Sequence, residues 1–354
     1  MRYVYPVGFD AGNSETAAAI YTTTGELQTV TMPSYIGRGS FHELRRFRQM
    51  NSSGSTNVFQ PEEYGLVCPE IDPAEYFIGT LAMNQSRAAT SARGDINRYW
   101  SPFALRLLLT AAGALIPDIE FEIALVTGIP IETYSDQNRR KVRSALEGEH
   151  HFTLNGRKRL AIVSVETVIM EGAGAMIACG DERRIRQAVI DIGGRTTDLY
   201  TADGQMPLIP LCKGAALGVE MAAEMLNHSF EGYTGRALTL QEMRLILRSA
   251  VGSEQYPSIY ANGQEISSID LHHWAEASLR SIGRDITTFL AQTWASNELG
   301  AVATDLAKVL LVGGGAYAFY HDIVRLIPHV IVPPQPELAN ALGYAELAFH
   351  LQSH

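Results

Sequence analysis

The sequence predicts an α/β protein built from two domains of related fold. One pattern occurs twice, 181 residues apart, as VGFDAGNSETAAAIYTTTG from Val7 and AVIDIGGRTTDLYTADG from Ala188. Each copy reads as an apolar strand, an Asp-x-Gly turn, a second strand and a glycine turn, and repetition of such a unit indicates duplicated domains. A length of 354 residues suits two domains. Strands rich in Val, Ile and Leu alternate with helices towards the C-terminal end, which is typical of α/β proteins.

Composition excludes several classes of protein. The chain is 46% hydrophobic and 19% charged, which fits a compact core, and its net charge of −10 argues against broad nucleic-acid binding. The three cysteines form no Cys-x-x-Cys pair, so neither a zinc site nor a redox dithiol is indicated. The segment MRYVYPVGFD lacks the features of a signal peptide, and no apolar run is long enough for a membrane span. We therefore expect a cytoplasmic protein without membrane contact.

The elements of the first domain follow from its local patterns. Alternating apolar segments predict strands at residues 4–9, 16–21 and 27–31, and a buried strand from residue 121, with helices near 102–115 and 139–143. Asn155-Gly156 between two alternating runs predicts a tight hairpin. An arginine-bearing subdomain is expected as an insertion at about 37–100. Domain I then covers residues 1–165 and is completed by a C-terminal helix at about 334–354.

The second domain is expected at residues 166–333. A small-residue helix begins it at 172, and the second Asp-x-Gly hairpin follows. Apolar periodicity predicts helices at about 215–227, 240–250 and 269–294, with a small strand pair flanking 262–263. The strand–glycine–helix segment KVLLVGGGAYAF comes last.

The two Asp-x-Gly turns are the first candidates for chemistry. Glycines let a phosphate approach backbone N–H groups closely, and a carboxylate can hold the water shell of a metal ion. One such turn alone is an ordinary polar hairpin turn, but two copies favour a polyphosphate site. The candidate residues are Asp10, Gly12, Asn13 and Ser14 in the first turn and Asp191, Gly193, Gly194 and Thr196 in the second.

Two further elements extend this pattern. Gly313, Gly314 and Gly315 follow an apolar strand and precede a helical run, where a flat ring or a phosphate can lie against bare backbone. Such turns also serve simple packing. Glu171 precedes the run Gly-Ala-Gly-Ala and can orient a water molecule, although an acid at a helix N-terminus is also common for electrostatic reasons alone.

Taken in order, these segments resemble the signature segments of the actin-like ATPase superfamily. The matching stretches, which cover essentially the whole length, are FDAGNSETAAAI, VIMEGAGAMIA, VIDIGGRTTDLY, VLLVGGGAYAF and ELANALGYAELA. In style they are most similar to the prokaryotic ParM and Alp-type plasmid-segregation actins. The resemblance implies a duplicated, ribonuclease H-like α/β fold of two domains with a nucleotide cleft between them. It also implies Mg²⁺ as cofactor and ATP or GTP as substrate.

The resemblance assigns roles to individual residues. Asp10 and Asp191 match the acids that hold hydrated Mg²⁺, and Glu171 matches the residue that positions the attacking water, so Glu171 and Asp191 are the implied catalytic residues. The implied nucleotide contacts are Gly12, Asn13, Ser14, Gly193, Gly194, Thr196, Glu220, Gly313, Gly314 and Gly315.

One position departs from the family pattern. Many relatives carry a phosphate-contacting lysine five residues after the glycine of the first turn, and Ala17 stands there. Lys213 and Arg195 are the candidates to replace its charge.

The implied function is a nucleoside triphosphatase that polymerises head-to-tail, for plasmid or DNA segregation or another cytoskeletal task. A DNA-binding adaptor protein is a possible partner under this reading. The arginine groups at residues 38–48, 87–98 and 139–143 are expected to be solvated surface, with subunit contacts in a filament as the alternative. The competing functions are a sugar-kinase-like enzyme and a non-filamentous scaffold of the same fold.

Overall fold

The chain folds into two compact units. The computed structural model describes residues 3–51, 60–92, 95–180, 185–204, 206–252, 255–295 and 301–352. One unit comprises Met1–Ile129, Thr133–Ala178 and Asn340–His354, and the other comprises Pro130–Glu132 and Cys179–Ala339. The main divisions fall after Ala178 and Ala339, whereas the sequence analysis places them at residues 165 and 333.

A nine-stranded mixed sheet forms the centre of the first unit. Its strands are β1 (Val4–Asp10), β2 (Glu15–Tyr21), β3 (Leu27–Pro33), β4 (Ile36–Arg38), β5 (Tyr64–Cys68), β6 (Asp72–Ile78), β7 (Glu120–Ile129), β8 (Gly148–Leu154) and β9 (Arg157–Met170). Their spatial order is β3-β2-β1-β7-β9-β8-β5-β6-β4. Strands β1, β7 and β9 run parallel, so their carboxyl ends share one edge of the sheet.

The predicted insertion does not form a sheet of its own. Leu66 of β5 pairs with Leu154 of β8, so β4, β5 and β6 extend the main sheet. The Asn-Gly hairpin explains this arrangement, because β8 offers a free edge to β5. Residues 52–59 and 93–94 of the predicted insertion lie outside the described residues.

Five helices of this unit are α1 (Phe41–Asn51), α2 (Thr80–Gln85), α3 (Pro102–Leu115), α4 (Asp136–Leu146) and α5 (Ala173–Cys179). The bounds of α3 match the prediction. Ser101 caps its start by accepting the Phe103 N–H, and Pro102 suits the first helical position because it has no N–H to satisfy. Most of α3 is buried in the core of the first unit.

The second unit has a smaller mixed sheet. Its strands are β10 (Arg186–Ile192), β11 (Thr197–Asp203), β12 (Met206–Pro207), β13 (Lys213–Ala215), the separate pair β14 (Tyr260–Ala261) and β15 (Gln264–Glu265), β16 (Lys308–Val312) and β17 (Val330–Ile331). Its helices are α6 (Val219–Thr234), α7 (Leu240–Ala250), α8 (Ser268–Trp294) and α9 (Ala316–Leu326). The second core lies between β10, β16 and these helices.

Both predicted Asn-Gly turns are confirmed. Asn155 and Gly156 have φ values of 51° and 81°, and Asn262 and Gly263 have 52° and 79°, which are the left-handed values that such a turn requires. The helix predicted from residue 215 instead begins at Val219, because β13 pairs with β11 before the helix starts. In the described part of the chain, no helix is both long and apolar enough to cross a membrane.

The last helix, α10 (Ala339–Gln352), belongs to the first unit and packs along a path of glycines. A Cβ atom on Gly8 or Gly343 would overlap backbone of the neighbouring segment, and one on Gly128 or Gly174 would overlap the buried ring of Tyr344. Gly343 of α10 lies against the backbone of Gly174 in α5, so these two helices cross closely.

Replacement of Gly343 tests this packing. Gly343→Ala is expected to lower the free energy of unfolding by about 1–3 kcal/mol, because the new methyl group meets backbone that cannot yield cheaply. Gly232→Ala in α6 is the matched control: no atom lies near its added Cβ, so it should be neutral or stabilising by up to about 1 kcal/mol. Urea unfolding of both variants measures the difference, and equal stabilities would contradict the close crossing.

Candidate functional site

The first Asp-x-Gly turn joins β1 to β2 and is held by donors to its carbonyl oxygens. Arg98 donates from Nη1 to the Ala11 carbonyl at 2.7 Å and from Nη2 to the Gly12 carbonyl at 2.9 Å. The Ser34 hydroxyl also donates to the Gly12 carbonyl, at 2.6 Å. In a planar trans peptide the C=O and N–H point in opposite directions. The N–H groups of Gly12 and Asn13 therefore point away from Arg98.

The remaining predicted residues of this turn lie beside it. The Asn13 side chain donates to the Tyr99 hydroxyl at 3.4 Å, and the Ser14 carbonyl accepts the Ser34 N–H at 3.0 Å. Asp10 is the last residue of β1 and is partly buried. The turn is thus tied through its backbone to the start of the segment after β3 and through a side chain to the residues before α3.

Arg98 is a residue whose position the sequence analysis predicts wrongly. It was expected on a solvated arginine-bearing surface, yet it is only 2% exposed. Its guanidinium lies over the rings of Tyr99 and Phe103, 5.2 Å from each centroid. The available signal is its setting in RYWSPFALRLLL, where aromatic and apolar neighbours predict burial of the whole stretch. Ala17, where relatives carry lysine, is buried in β2.

The second turn joins β10 to β11 and is held by the start of α6. The N–H of Val219 donates to the Gly193 carbonyl at 3.3 Å, and the N–H of Glu220 donates to the Gly194 carbonyl at 2.7 Å. Gly218 permits this approach, since a Cβ there would overlap the Gly194 carbonyl. The helix N-terminus thus satisfies its own free donors on the turn. By the same peptide geometry, the N–H groups of residues 194 and 195 point away from α6.

A pair of carboxylates lies across the strands that carry the second turn. Asp191 and Asp198 are register partners in β10 and β11, and Asp198 is 1% exposed. The pKa of Asp198 is raised to about 7, chiefly by burial and also by the charges of Asp191 and Glu132, while hydrogen bonds from the Ile131 N–H and the Thr196 hydroxyl oppose the rise. The Thr196 hydroxyl, expected to face a phosphate, is therefore directed at Asp198.

The third glycine turn adjoins the second within the same unit, because β10 and β16 run parallel and end together. Gly313 has φ of 85°, and a Cβ there would lie 2.5 Å from a carboxylate oxygen of Asp191. Gly315 donates its N–H to the Ile192 carbonyl at 2.8 Å. Only open space surrounds the position of a Cβ on Gly314. Gly313 and Gly315 are thus fixed by packing, while Gly314 leaves its backbone face open.

The charged residues near α6 interact with one another. Glu220 is 6% exposed, and its carboxylate lies 3.7 Å from Nη1 of Arg195, which is also 3.8 Å from the carboxylate of Glu224. Lys213, the other candidate for the missing cation, lies exposed in β13. Arg195 is therefore committed to acidic partners inside the second unit.

Glu171 follows β9 and is buried. Its N–H donates to the Ile129 carbonyl at the end of β7. Since β1, β7 and β9 are parallel neighbours, Asp10 and Glu171 lie at the same carboxyl edge of the first sheet. Both are predicted site residues, and the sheet topology is what brings them to one edge.

A side chain from α10 fixes the segment after Glu171. Asn340 is buried, and its Oδ1 accepts the N–H groups of Gly172 and Ala175, each at 3.1 Å. These are donors that the first turn of α5 cannot satisfy by itself. Asn340 therefore positions the backbone that carries Glu171, and this contact spans 168 residues of sequence.

Two family models match the chain. The model of the N-terminal domain of actin-like proteins matches residues 8–174, and that of the C-terminal domain of the archaeal MreB-like actin homologue matches residues 189–324. The chain belongs to the actin-like proteins. No curated protein sequence matches it significantly.

Solved structures show that this actin-like protein has the two-domain α/β actin-like fold. ParM in a 15-stranded filament from Clostridium botulinum is 21% identical, with a TM-score of 0.79 over 99% of this chain and 100% of that chain. An archaeal actin homologue is 19% identical, with a TM-score of 0.73 over 97% and 99%. ParM from Bacillus thuringiensis with AMPPNP is 16% identical, with a TM-score of 0.66 over 99% of both chains.

The raised pKa of Asp198 predicts a pH-dependent stability. The native state retains a proton on this carboxyl that the unfolded chain loses near pH 4, so stability falls as the pH rises from about 4 towards 7. Asp198→Asn keeps the acceptor for the Ile131 N–H and removes the titration. Between pH 4 and 7 the free energy of unfolding of the variant should therefore rise relative to that of the wild type, by at most about 1.4 kcal/mol per pH unit.

Urea unfolding at several pH values measures this effect. Asp203→Asn, at the partly exposed end of the same strand, is the control. Its free energy of unfolding should depend on pH in the same way as that of the wild type. Parallel profiles for Asp198→Asn and the wild type between pH 4 and 7 would show that Asp198 is not a buried acid of raised pKa.

Proposed function

We propose that this protein is an actin-like nucleoside triphosphatase that binds a magnesium nucleotide and assembles into filaments. One observation carries the proposal. Each unit has, at the carboxyl edge of its sheet, an Asp-x-Gly turn whose successive carbonyls are held by donors of its own unit. The N–H groups on the opposite side are thereby oriented in advance, which is the arrangement that binds phosphate oxygens. The archaeal homologue solved with ADP supports the nucleotide as ligand.

In this proposal the two turns bind the phosphates. Gly12, Asn13 and Ser14 act through the first turn, and Gly193, Gly194 and Thr196 through the second. Because the Thr196 hydroxyl bonds Asp198, Thr196 contributes through its backbone. The glycines from Gly313 to Gly315 line the nucleoside, with Gly314 offering the open face. Glu220 contacts the ribose while Arg195 holds its carboxylate.

The residues present fit a hydrated Mg²⁺. Asp10 and Asp191 supply hard oxygen ligands, which this ion prefers, and Asp191 is buried beside a second carboxyl. Among the residues that the structure describes, no cluster of three or more His, Cys, Asp or Glu side chains forms a protein-only cage. Mg²⁺ commonly keeps several waters and is held by one or two carboxylates together with phosphates. When bound, it neutralises charge on the phosphate oxygens.

Hydrolysis in this proposal is assigned to Glu171. Its carboxylate orients a water molecule and takes a proton from it as the water oxygen attacks the terminal phosphorus. The bond to the bridging oxygen breaks, and the diphosphate leaves in line with the attack. Correct positioning of the reacting groups supplies most of the rate enhancement in such reactions. In this proposal Asn340 positions Glu171, because its side chain holds the backbone that follows Glu171.

Assembly is the last part of the proposal. A head-to-tail contact between unlike faces does not close on itself and so propagates into a filament. The triphosphate favours one arrangement of the chain and hydrolysis releases it. The relative in the Clostridium botulinum filament supports self-association, and plasmid or DNA segregation through an adaptor is the use that the ParM resemblance suggests.

Asp191→Asn tests the metal-dependent part of binding. The variant keeps the shape of the side chain and removes the charge, so the affinity for Mg-ADP should fall by about 10-fold or more, while binding in EDTA should change little. Titration with a fluorescent ADP measures both. Asp305→Asn, an exposed carboxylate paired with Arg186 in the same unit, is the control for loss of one charge. An unchanged dependence on Mg²⁺ in Asp191→Asn contradicts the assignment.

Glu171→Gln tests hydrolysis and assembly together. It should retain nucleotide affinity and hydrolyse about 100-fold more slowly, the usual scale for a group that orients and deprotonates water. Light scattering should rise on addition of Mg-ATP or Mg-GTP above a critical concentration, fall as nucleotide is spent, and stay high for longer in the variant. Glu166→Gln changes an exposed acid on β9, the strand that precedes Glu171, and should behave as the wild type.

Sedimentation with a non-hydrolysable triphosphate decides between filament and alternatives. A protein that stays monomeric at high concentration, while binding nucleotide, is a kinase-like enzyme or a scaffold of the same fold. A wild-type rate in Glu171→Gln shows instead that Glu171 has only a structural role.

A further inference from the structure

The first unit contains a buried cation, Arg98, that is bonded to backbone carbonyl groups. Arg98 is 2% exposed, and its two hydrogen bonds go to the carbonyls of Ala11 and Gly12. Its Nε is buried without a hydrogen-bond partner. Among the residues that the structure describes, no acidic side chain forms an ion pair with it. The rings of Tyr99 and Phe103 also lie against its guanidinium.

Such a charge is costly unless something offsets it. A guanidinium removed from water loses its hydration, and carbonyl dipoles and ring faces recover only part of that loss. The low dielectric of the surroundings also screens its field weakly. An anion on the far side of the turn is therefore attracted both by this field and by the N–H groups that Arg98 turns towards it.

We propose that Arg98 is the cation of the first phosphate turn and acts from behind the loop as a positioning residue. This inference rests on the proposed function and names the part of the ligand that Arg98 serves, the di- or triphosphate. It fixes the peptide groups of Ala11–Gly12 and Gly12–Asn13 through their carbonyls, and it supplies the positive potential that Ala17 does not provide. Contact with the phosphate itself is made by the backbone.

A partly buried arginine of the same unit, with similar bonding partners, provides the control. Arg159 also donates to backbone carbonyls, of Gly113, Ile116 and Asp118, and also lies over a ring, that of Phe121. Its Nε is likewise buried without a partner. These carbonyls belong to the end of α3 and the segment after it, not to the turn.

The test compares ADP with adenosine, both with Mg²⁺, on Arg98→Met, Arg98→Lys and Arg159→Met. Arg98→Met should weaken ADP binding by about 10-fold or more and leave adenosine within about 2-fold, since only the phosphates sense the turn and its charge. The salt dependence of ADP binding should also become shallower. Arg98→Lys keeps the charge but not the paired bonds and should fall between. Arg159→Met should leave the ratio of the two affinities unchanged, whatever its stability.

The inference is overturned by any of the following outcomes. If Arg98→Met weakens the binding of ADP and of adenosine by the same factor, Arg98 has only a general role in stability. The same conclusion follows if Arg159→Met changes the ratio of the two affinities as much as Arg98→Met does. If the wild-type protein binds neither ADP nor pyrophosphate, both the proposed function and this inference are wrong. If the wild-type protein binds ADP but Arg98→Met leaves the ratio of the ADP and adenosine affinities unchanged, only this inference is wrong. Where Arg98→Met does not fold, Arg98→Lys decides: a ratio equal to that of the wild type contradicts the role of Arg98.

Discussion

The planarity of the peptide group determines how the Asp-x-Gly turn of each unit directs its backbone N–H groups. A carbonyl held by a donor inside the protein fixes the N–H of the same peptide on the opposite side. The first turn uses a guanidinium and a hydroxyl for this purpose, and the second uses the free N–H groups of a helix N-terminus. The two solutions differ chemically although the turns repeat in sequence. What the two turns share is the direction of their backbone donors, and N–H groups oriented in this way form anion-binding concavities.

Close approach of backbone is the second constraint, and it explains where glycine is needed. Gly218 and Gly313 each lie where a side chain would overlap the second turn or Asp191, and Gly8, Gly174 and Gly343 lie where α10 passes against the sheet and α5. Gly314 is different, since space around it is open. The glycines of one motif therefore serve two purposes, packing at its ends and access at its middle.

The sequence alone predicts much of this structure, and the parts that it misses have a common cause. The duplicated hairpin, α3, α7, α8 and the two Asn-Gly turns follow from local pattern, as does the family. The repeated motif predicts the candidate site residues in the turns, but it does not predict the partners that orient them. Arg98 lies 86 residues from Gly12, and Asn340 lies 168 residues from Gly172. A side chain's partner across that separation depends on topology, which periodicity does not encode.

The raised pKa of Asp198 likewise cannot be predicted from the sequence pattern. In the sequence Asp198 is a polar residue beside a turn, and only the folded chain brings the burial and the neighbouring charges of Asp191 and Glu132 that raise its pKa. The start of α6 was misplaced for a related reason: residues 213–215 pair with β11, so tertiary pairing overrides local helical propensity.

The return of the chain to its first unit affects the order in which a ribosome can produce a finished molecule. Residues 179–339 are synthesised between α5 and α10, so they complete a core of their own while the groove at Gly8, Gly128 and Gly174 still lacks its helix. During that interval Gly172 and Ala175 also lack the Asn340 oxygen. Domains fold as units during synthesis. The core of the second unit therefore needs no residue after Ala339, whereas the first unit cannot complete its packing until α10 has been synthesised.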